Sequence, residues 1–269
     1  MTAQSRDTRR LSRGGRWLRG AAGVAVLFLV SEALTRAGFV DRSFLPPASS
    51  IIARAVELAG DDSFRSQLDH TLTAWATGMG IALCVAIPLG LLLGSVPAVS
   101  AASRAIVEFL RPIPSVALIP LVELLLGSDL KMEVTLVVYA SVWPILFNTI
   151  YGLQDVDPVA KDTLHGFGFG RLSVLGRVSL PASAPYIATG IRLAAAVALI
   201  VSVGSEIISG FGSGLGIFIA QAQTAPDGNL DVLAGTVWAG GLGLLINAAL
   251  VGAERRLFSW HWARTEAAL

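Results

Sequence analysis

An all-α polytopic membrane protein with six transmembrane helices is the fold class this sequence predicts, on three observations. The 269 residues are 54% hydrophobic and only 14% charged, against roughly 25% charged in ordinary soluble domains. Six apolar runs meet or approach the roughly 20 residues needed to cross about 30 Å of hydrocarbon. Arginine and lysine are shared unevenly between the segments that join those runs, as membrane topology requires. The net charge is +1, so no global case for nucleic acid arises. The single cysteine, Cys84, lies inside an apolar run. It excludes a disulfide within the chain and reads as a buried, inert thiol.

The first run, Trp17–Ala37, follows Arg9, Arg10, Arg13 and Arg16. That is also the order of a secretory signal, but the apolar part is long and no small-x-small cleavage site follows, so it reads as a span. Leu45-Pro46-Pro47 stops this element. Ala48–Ala59 then reads as a short amphipathic helix, with Ile51, Ile52, Ala55, Val56 and Leu58 mostly on one side, expected along the outer membrane face. The next spans are His70–Ser95, Ala105–Leu126, interrupted by prolines, and Met132–Tyr151. Ala182–Ile208 and Val232–Leu257 complete the set. Between the last two, Gly210–Gly216 reads as a flexible turn and Ile217–Gln223 as a short surface helix. A phosphate loop does not fit there, because the G-x-x-x-x-G-K-[ST] order is absent.

With the N-terminus inside, the N-terminal arginines, Arg104, Lys161, Arg171, Arg177, Arg255, Arg256 and Arg264 are cytoplasmic, and the exterior segments are acidic on balance. The expected organisation is an Arg-rich cytoplasmic tail at 1–16, a membrane domain at 17–258 and a cytoplasmic tail at 259–269. The expected location is a membrane crossed several times, with both termini cytoplasmic.

Catalysis finds little support. Lys131 and Lys161 are the only lysines and neither follows glycine, so this chain has no Walker lysine and any ATP chemistry belongs to a partner. His70, His165 and His261 are far apart in sequence and read as interface anchors, with no metal site expected. No nucleophile–base set stands out. Nothing here argues for an enzyme, and no cofactor bound by this chain is expected.

The polar interruption Leu153–Tyr186 is far longer than a turn needs, and structured loops of that size usually bind something. Asp157-Pro158 is a helix start, since aspartate caps free amides and proline at the first position loses no needed bond. Val159–His165 then form about two turns, ending at Gly166 and Gly168, and a second helix, Arg171–Ser179, runs to Leu180-Pro181. Two such helices make either a docking knob or a pair of amphipathic segments on the headgroups.

These residues resemble a family. Permeases of bacterial binding-protein-dependent ATP-driven importers carry an EAA-x3-G-x9-I-x-LP signature in this loop. Here Asp162-Thr163-Leu164, Gly168 and Val178-Ser179-Leu180-Pro181 keep that spacing, with Thr163 and Leu164 where the signature has alanines. Leu110-Arg111-Pro112-Ile113-Pro114, Gly190-Ile191-Arg192-Leu193-Ala194 and Ser205-Glu206 followed by Gly214-Leu215-Gly216 look like the nitrate/sulfonate/taurine branch. The resemblance implies a MetI-like type I importer permease fold and a coupling loop at 153–181. It also implies a second permease copy, identical or a sister chain, and a cytoplasmic ATPase dimer holding ATP and Mg. An extracytoplasmic solute-binding protein would deliver substrate. Lys161, Asp162, Thr163, Leu164, Gly168, Arg171, Leu180 and Pro181 are then the candidate coupling residues. The implied solute is a small anion of the sulfonate, taurine or nitrate class, with a pyrimidine or vitamin precursor as the alternative. An ion-driven secondary transporter would show an inverted repeat, and none is visible.

Candidate path residues are Arg111, Pro112, Pro114, Asn148, Arg192 and Glu206. Each proline frees a carbonyl, tolerable at membrane depth only against protein or a wet cavity, so the Arg111–Pro114 stretch either lines the path or only kinks a span. Arg192 and Glu206 share one apolar run about 21 Å apart and cannot pair within it. Arg192 either faces a cavity or snorkels to the headgroups. Glu206 is expected to be a structural or gating hydrogen-bond partner. Asn148 is expected to make an interhelical polar contact.

Overall fold

The computed structural model describes residues 13–41, 44–127, 130–226 and 228–258. The C-terminal tail and most of the Arg-rich tail lie outside the described residues. Every element among them is helical. In order they are α1 (Arg13–Arg36), α2 (Ala48–Leu58), α3 (Asp62–Ser95), α4 (Pro97–Leu110), a 3-10 turn (Ser115–Leu118) and α5 (Ile119–Leu126). There follow α6 (Leu130–Gln154), α7 (Pro158–Gly166), α8 (Arg171–Val174), a π-turn (Leu175–Ser179), α9 (Leu180–Ser209), α10 (Leu215–Thr224) and α11 (Asn229–Leu257).

Among the described residues, α3, α6, α8 to α9 and α11 are the four segments long and apolar enough to cross a membrane, or five if the α4–α5 pair is one span. The expected count of six therefore depends on α1 as well. The third expected span is broken: α4 and the 3-10/α5 segment meet at 76°. Pro112 and Pro114 lie in the break, where missing amides and the restricted residue before each proline end α4. The second loop helix does not stop at Leu180-Pro181. It passes through the π-turn into α9, the widened turn falling directly before Pro181, whose missing amide interrupts the regular ladder there.

Helix α6 packs between α3 and α9. Small residues permit that closeness. A Cβ on Gly90 would lie 2.6 Å from Thr149 Cβ, and one on Gly190 would lie 2.8 Å from Asn148 Cβ. Ala82 and Ala86 of α3, Val137 and Ile145 of α6, and Ala194 and Ala198 of α9 fill the seam and are all buried. The Trp75 indole donates to Ala195 O at 3.0 Å and ties α3 to α9.

A second core joins α2, α3, α10 and α11 around Phe64, which packs edge-on to Phe218 at 4.9 Å. Helix α2 is therefore bound to the bundle as well as amphipathic: the Trp238 indole donates to Ala55 O at 2.9 Å, and Arg54 pairs with Asp231 at 2.6 Å. Outward faces keep their apolar residues, among them Ile81, Val85, Ile200 and Leu244. Cys84 lies on such an exposed face, not in the core, since helix periodicity turns it away from the Ala82–Ala86 seam.

Candidate functional site

The 153–186 loop is built from local devices. The Asp157 carboxylate accepts from Val159 N–H at 2.8 Å and caps α7. At the other end, Phe169 N–H donates to Leu164 O and Gly168 N–H to His165 O, with Gly168 at φ +81°. This is a Schellman ending, which needs a left-handed residue that glycine adopts without strain. Lys161 Nζ donates to Leu153 O at 3.0 Å, so α7 is fastened to the end of α6. The Tyr186 hydroxyl donates to Asp155 Oδ2 at 2.7 Å, fastening the loop entrance to α9.

Asp162, Thr163, Gly168, Arg171, Leu180 and Pro181 are exposed, and Lys161 and Leu164 are half-buried. The Thr163 hydroxyl donates to Val159 O within its own helix. Lys161 and Arg171, with His165, line a cavity of about 250 Å³ closed by Gly94 and Ser95 of α3. Three further side chains protrude that the sequence reading passed over: Val159, Phe167 and Leu172, at 69%, 78% and 84% exposure. Large apolar residues inside an otherwise polar interruption were the signal for them.

The six candidate path residues do not come together. A groove of about 620 Å³ runs between α9 and α11, and of the six only Arg192 lines it. Arg192 pairs across it with Glu254 at 3.4 Å, a partner the sequence reading missed. Arg111 sits at the α4–α5 break with its guanidinium 4.4 Å from the Phe147 ring, so the break is braced against α6. The Tyr139 hydroxyl, donating to Leu110 O at 2.7 Å, holds the freed end of α4. Among the described residues Asn148 makes no interhelical hydrogen bond; its amide donates to Pro144 O in its own helix at 2.8 Å.

Glu206 is wholly buried. Thr71 Oγ1 donates to its Oε1 at 2.7 Å and Gly216 N–H to its Oε2 at 2.6 Å. The adjoining turn closes on the same spot, as Leu215 N–H donates to Thr71 Oγ1 and Gly214 N–H to Gln67 Oε1. His70 of α3 and Glu133 of α6 converge here too, with Nδ1 and Oε2 3.7 Å apart. The sequence reading placed His70 at the interface, away from any cluster. Sequence distance was the wrong measure, because α3, α6 and α9 run side by side and bring distant residues to one level.

The profile of the family described as "Binding-protein-dependent transport system inner membrane component" matches residues 86–259. The chain belongs to this family. The permease is 28% identical over 243 residues to the taurine transport system permease protein TauC of Escherichia coli, covering 88% of each chain. It is 30% identical over 186 residues to the nitrate import permease protein NrtB of Leptolyngbya laminosa, covering 69% of this chain and 66% of that one. Its fold matches a chain of the MetNI methionine ABC transporter, solved inward-facing, with a TM-score of 0.63 at 18% identity. That match covers 72% of the permease and 95% of the MetNI chain. The protein is thus a multi-pass permease subunit of an ATP-binding-cassette importer, a transport subunit that works with an ATPase and a solute-binding protein.

Proposed function

We propose that the permease imports a small anionic solute, driven by two cytoplasmic ATPases that hold ATP and Mg and dock on the 153–181 loop. The observation that carries this reading is the construction of α7. It is capped at both ends, fastened to α6 through Lys161, preceded by a loop entrance tied to α9 through Asp155, and surrounded by the exposed side chains of Val159, Asp162, Phe167 and Leu172. A short, rigid, anchored segment transmits displacement to the spans it is tied to, as an ATP-driven lever must. On this reading the loop faces the cytoplasm, both termini lie on that side, α1 completes a six-span domain over 17–258, and a second permease copy completes the path. Taurine and nitrate, handled by the relatives, are small and carry oxyanion groups, and Arg192 offers a cation at the α9–α11 groove.

The test is reconstitution in liposomes with the cognate ATPase and binding protein, the binding protein's ligand being found first by thermal shift. Asp162→Arg is expected to abolish uptake and the stimulation of ATPase activity while leaving the melting temperature of the spans unchanged. Uptake and stimulation that both survive the change would refute docking at α7. Transport by the chain alone under an ion gradient would refute the importer.

A further inference from the structure

The His70–Glu133–Glu206 cluster lies at the end of the bundle away from the 153–186 loop. One ligand-capable atom from each residue lies within 4.8 Å of the other two. Each comes from a different helix, α3, α6 and α9. Two carboxyl groups so close and so deeply buried, Glu133 at 4% exposure and Glu206 at 0%, cannot both stay ionised without positive charge or a proton between them. His70 does not supply this by hydrogen bonding. Its Nδ1 is closed off from solvent without a hydrogen-bond partner, and its 3.7 Å separation from Glu133 Oε2 is beyond hydrogen-bond length.

We infer that His70, Glu133 and Glu206 bind a first-row divalent cation of the zinc or manganese class. An imidazole nitrogen with two carboxylate oxygens is a donor set for that class. Tetrahedral zinc with bonds of about 2.0–2.1 Å places its ligand atoms about 3.3 Å apart, so small side-chain rotations close the present spacing around an ion. Thr71 and Gly216 N–H already hold the Glu206 carboxylate in position, the kind of outer support that orients ligands. The ion locks α3, α6 and α9 together at one end. Through Gly216, and through the Gln67–Gly214 contact beside it, the lock also holds the turn that starts α10.

The experiment uses the full-length permease purified in nanodiscs, stripped with chelator, reloaded with zinc or manganese and desalted. Metal content is measured by plasma mass spectrometry and stability by melting. The expected result is about one ion per chain and a higher melting temperature on reloading. His70→Ala and Glu133→Gln should reduce the metal to the blank level. Glu133→Lys places an ammonium where the ion would sit, so this variant should be metal-free, with a melting temperature that ignores added metal. Wild-type protein that takes up no metal and melts at one temperature throughout would overturn the inference and leave a proton shared between the carboxyls. Stoichiometric metal retained in the Glu133→Lys variant would overturn it as well, by placing the ion elsewhere. If the variants do not fold, the wild-type titration alone decides. None of these readouts depends on transport, so they stand apart from the test of the importer reading.

Discussion

Gly190 shows how little room one side chain has between α6 and α9. A Cβ there would meet Asn148 Cβ at 2.8 Å and Pro144 O at 2.9 Å. Forcing a larger residue into such a contact costs typically about 1–3 kcal/mol. Gly190→Leu is therefore expected to lower the melting temperature of the purified permease clearly. Gly80→Leu, at a position with nothing within 4 Å, should change it little. Equal effects from both would remove close packing as the reason for glycine at 190. The Gly168 helix ending was legible from its place after α7, whereas the close approach at Gly190 was not. The partners of charged residues were not: Glu254 beside Arg192 and Glu133 beside His70 carried no local mark of their role.

At the scale of elements, α2 is the instructive case. Its amphipathic pattern predicts a helix with one apolar face, and the helix forms where the pattern places it. Which surface that face meets is a tertiary matter: Ala55 and Leu58 are buried against the bundle, while Ile52 and Val56 stay exposed. The Arg54–Asp231 pair is about one-third exposed on each side, so it contributes only about 0.5–1 kcal/mol. Its hydrogen bonds to Asp231 and then Glu57 hold the guanidinium's pKa above the usual arginine range. A raised value of this kind gives stability that is lost only as pH rises through it, so working alkaline conditions do not release α2. Substitution does. Arg54→Ala combined with Trp238→Phe, which removes a hydrogen bond worth about 1 kcal/mol, should accelerate amide exchange in α2 while α6 keeps its protection. Uniform acceleration through both helices would show that α2 has no independent docking step.

At the scale of the whole molecule, the open prediction is orientation. In a Cys84→Ser background, Ser213→Cys should react with a membrane-impermeant thiol reagent in intact cells. His165→Cys should react only after permeabilisation, since the charge bias places the 153–186 loop inside. The reverse pattern would invert the topology and with it the coupling reading. What the sequence by itself determined is whatever repeats or ends within a few residues: the apolar run lengths, the Asp157 cap, the α7 ending and the long polar loop between spans. The tertiary structure alone decided which faces meet. It joined Thr71 to Glu206 across 135 positions, Arg192 to Glu254 across 62, and Arg54 to Asp231 across 177. A periodic pattern marks an apolar face without naming its neighbour, because lipid and another helix are nearly equivalent solvents for such a face. The buried histidine–carboxylate cluster became visible only once three helices were set side by side.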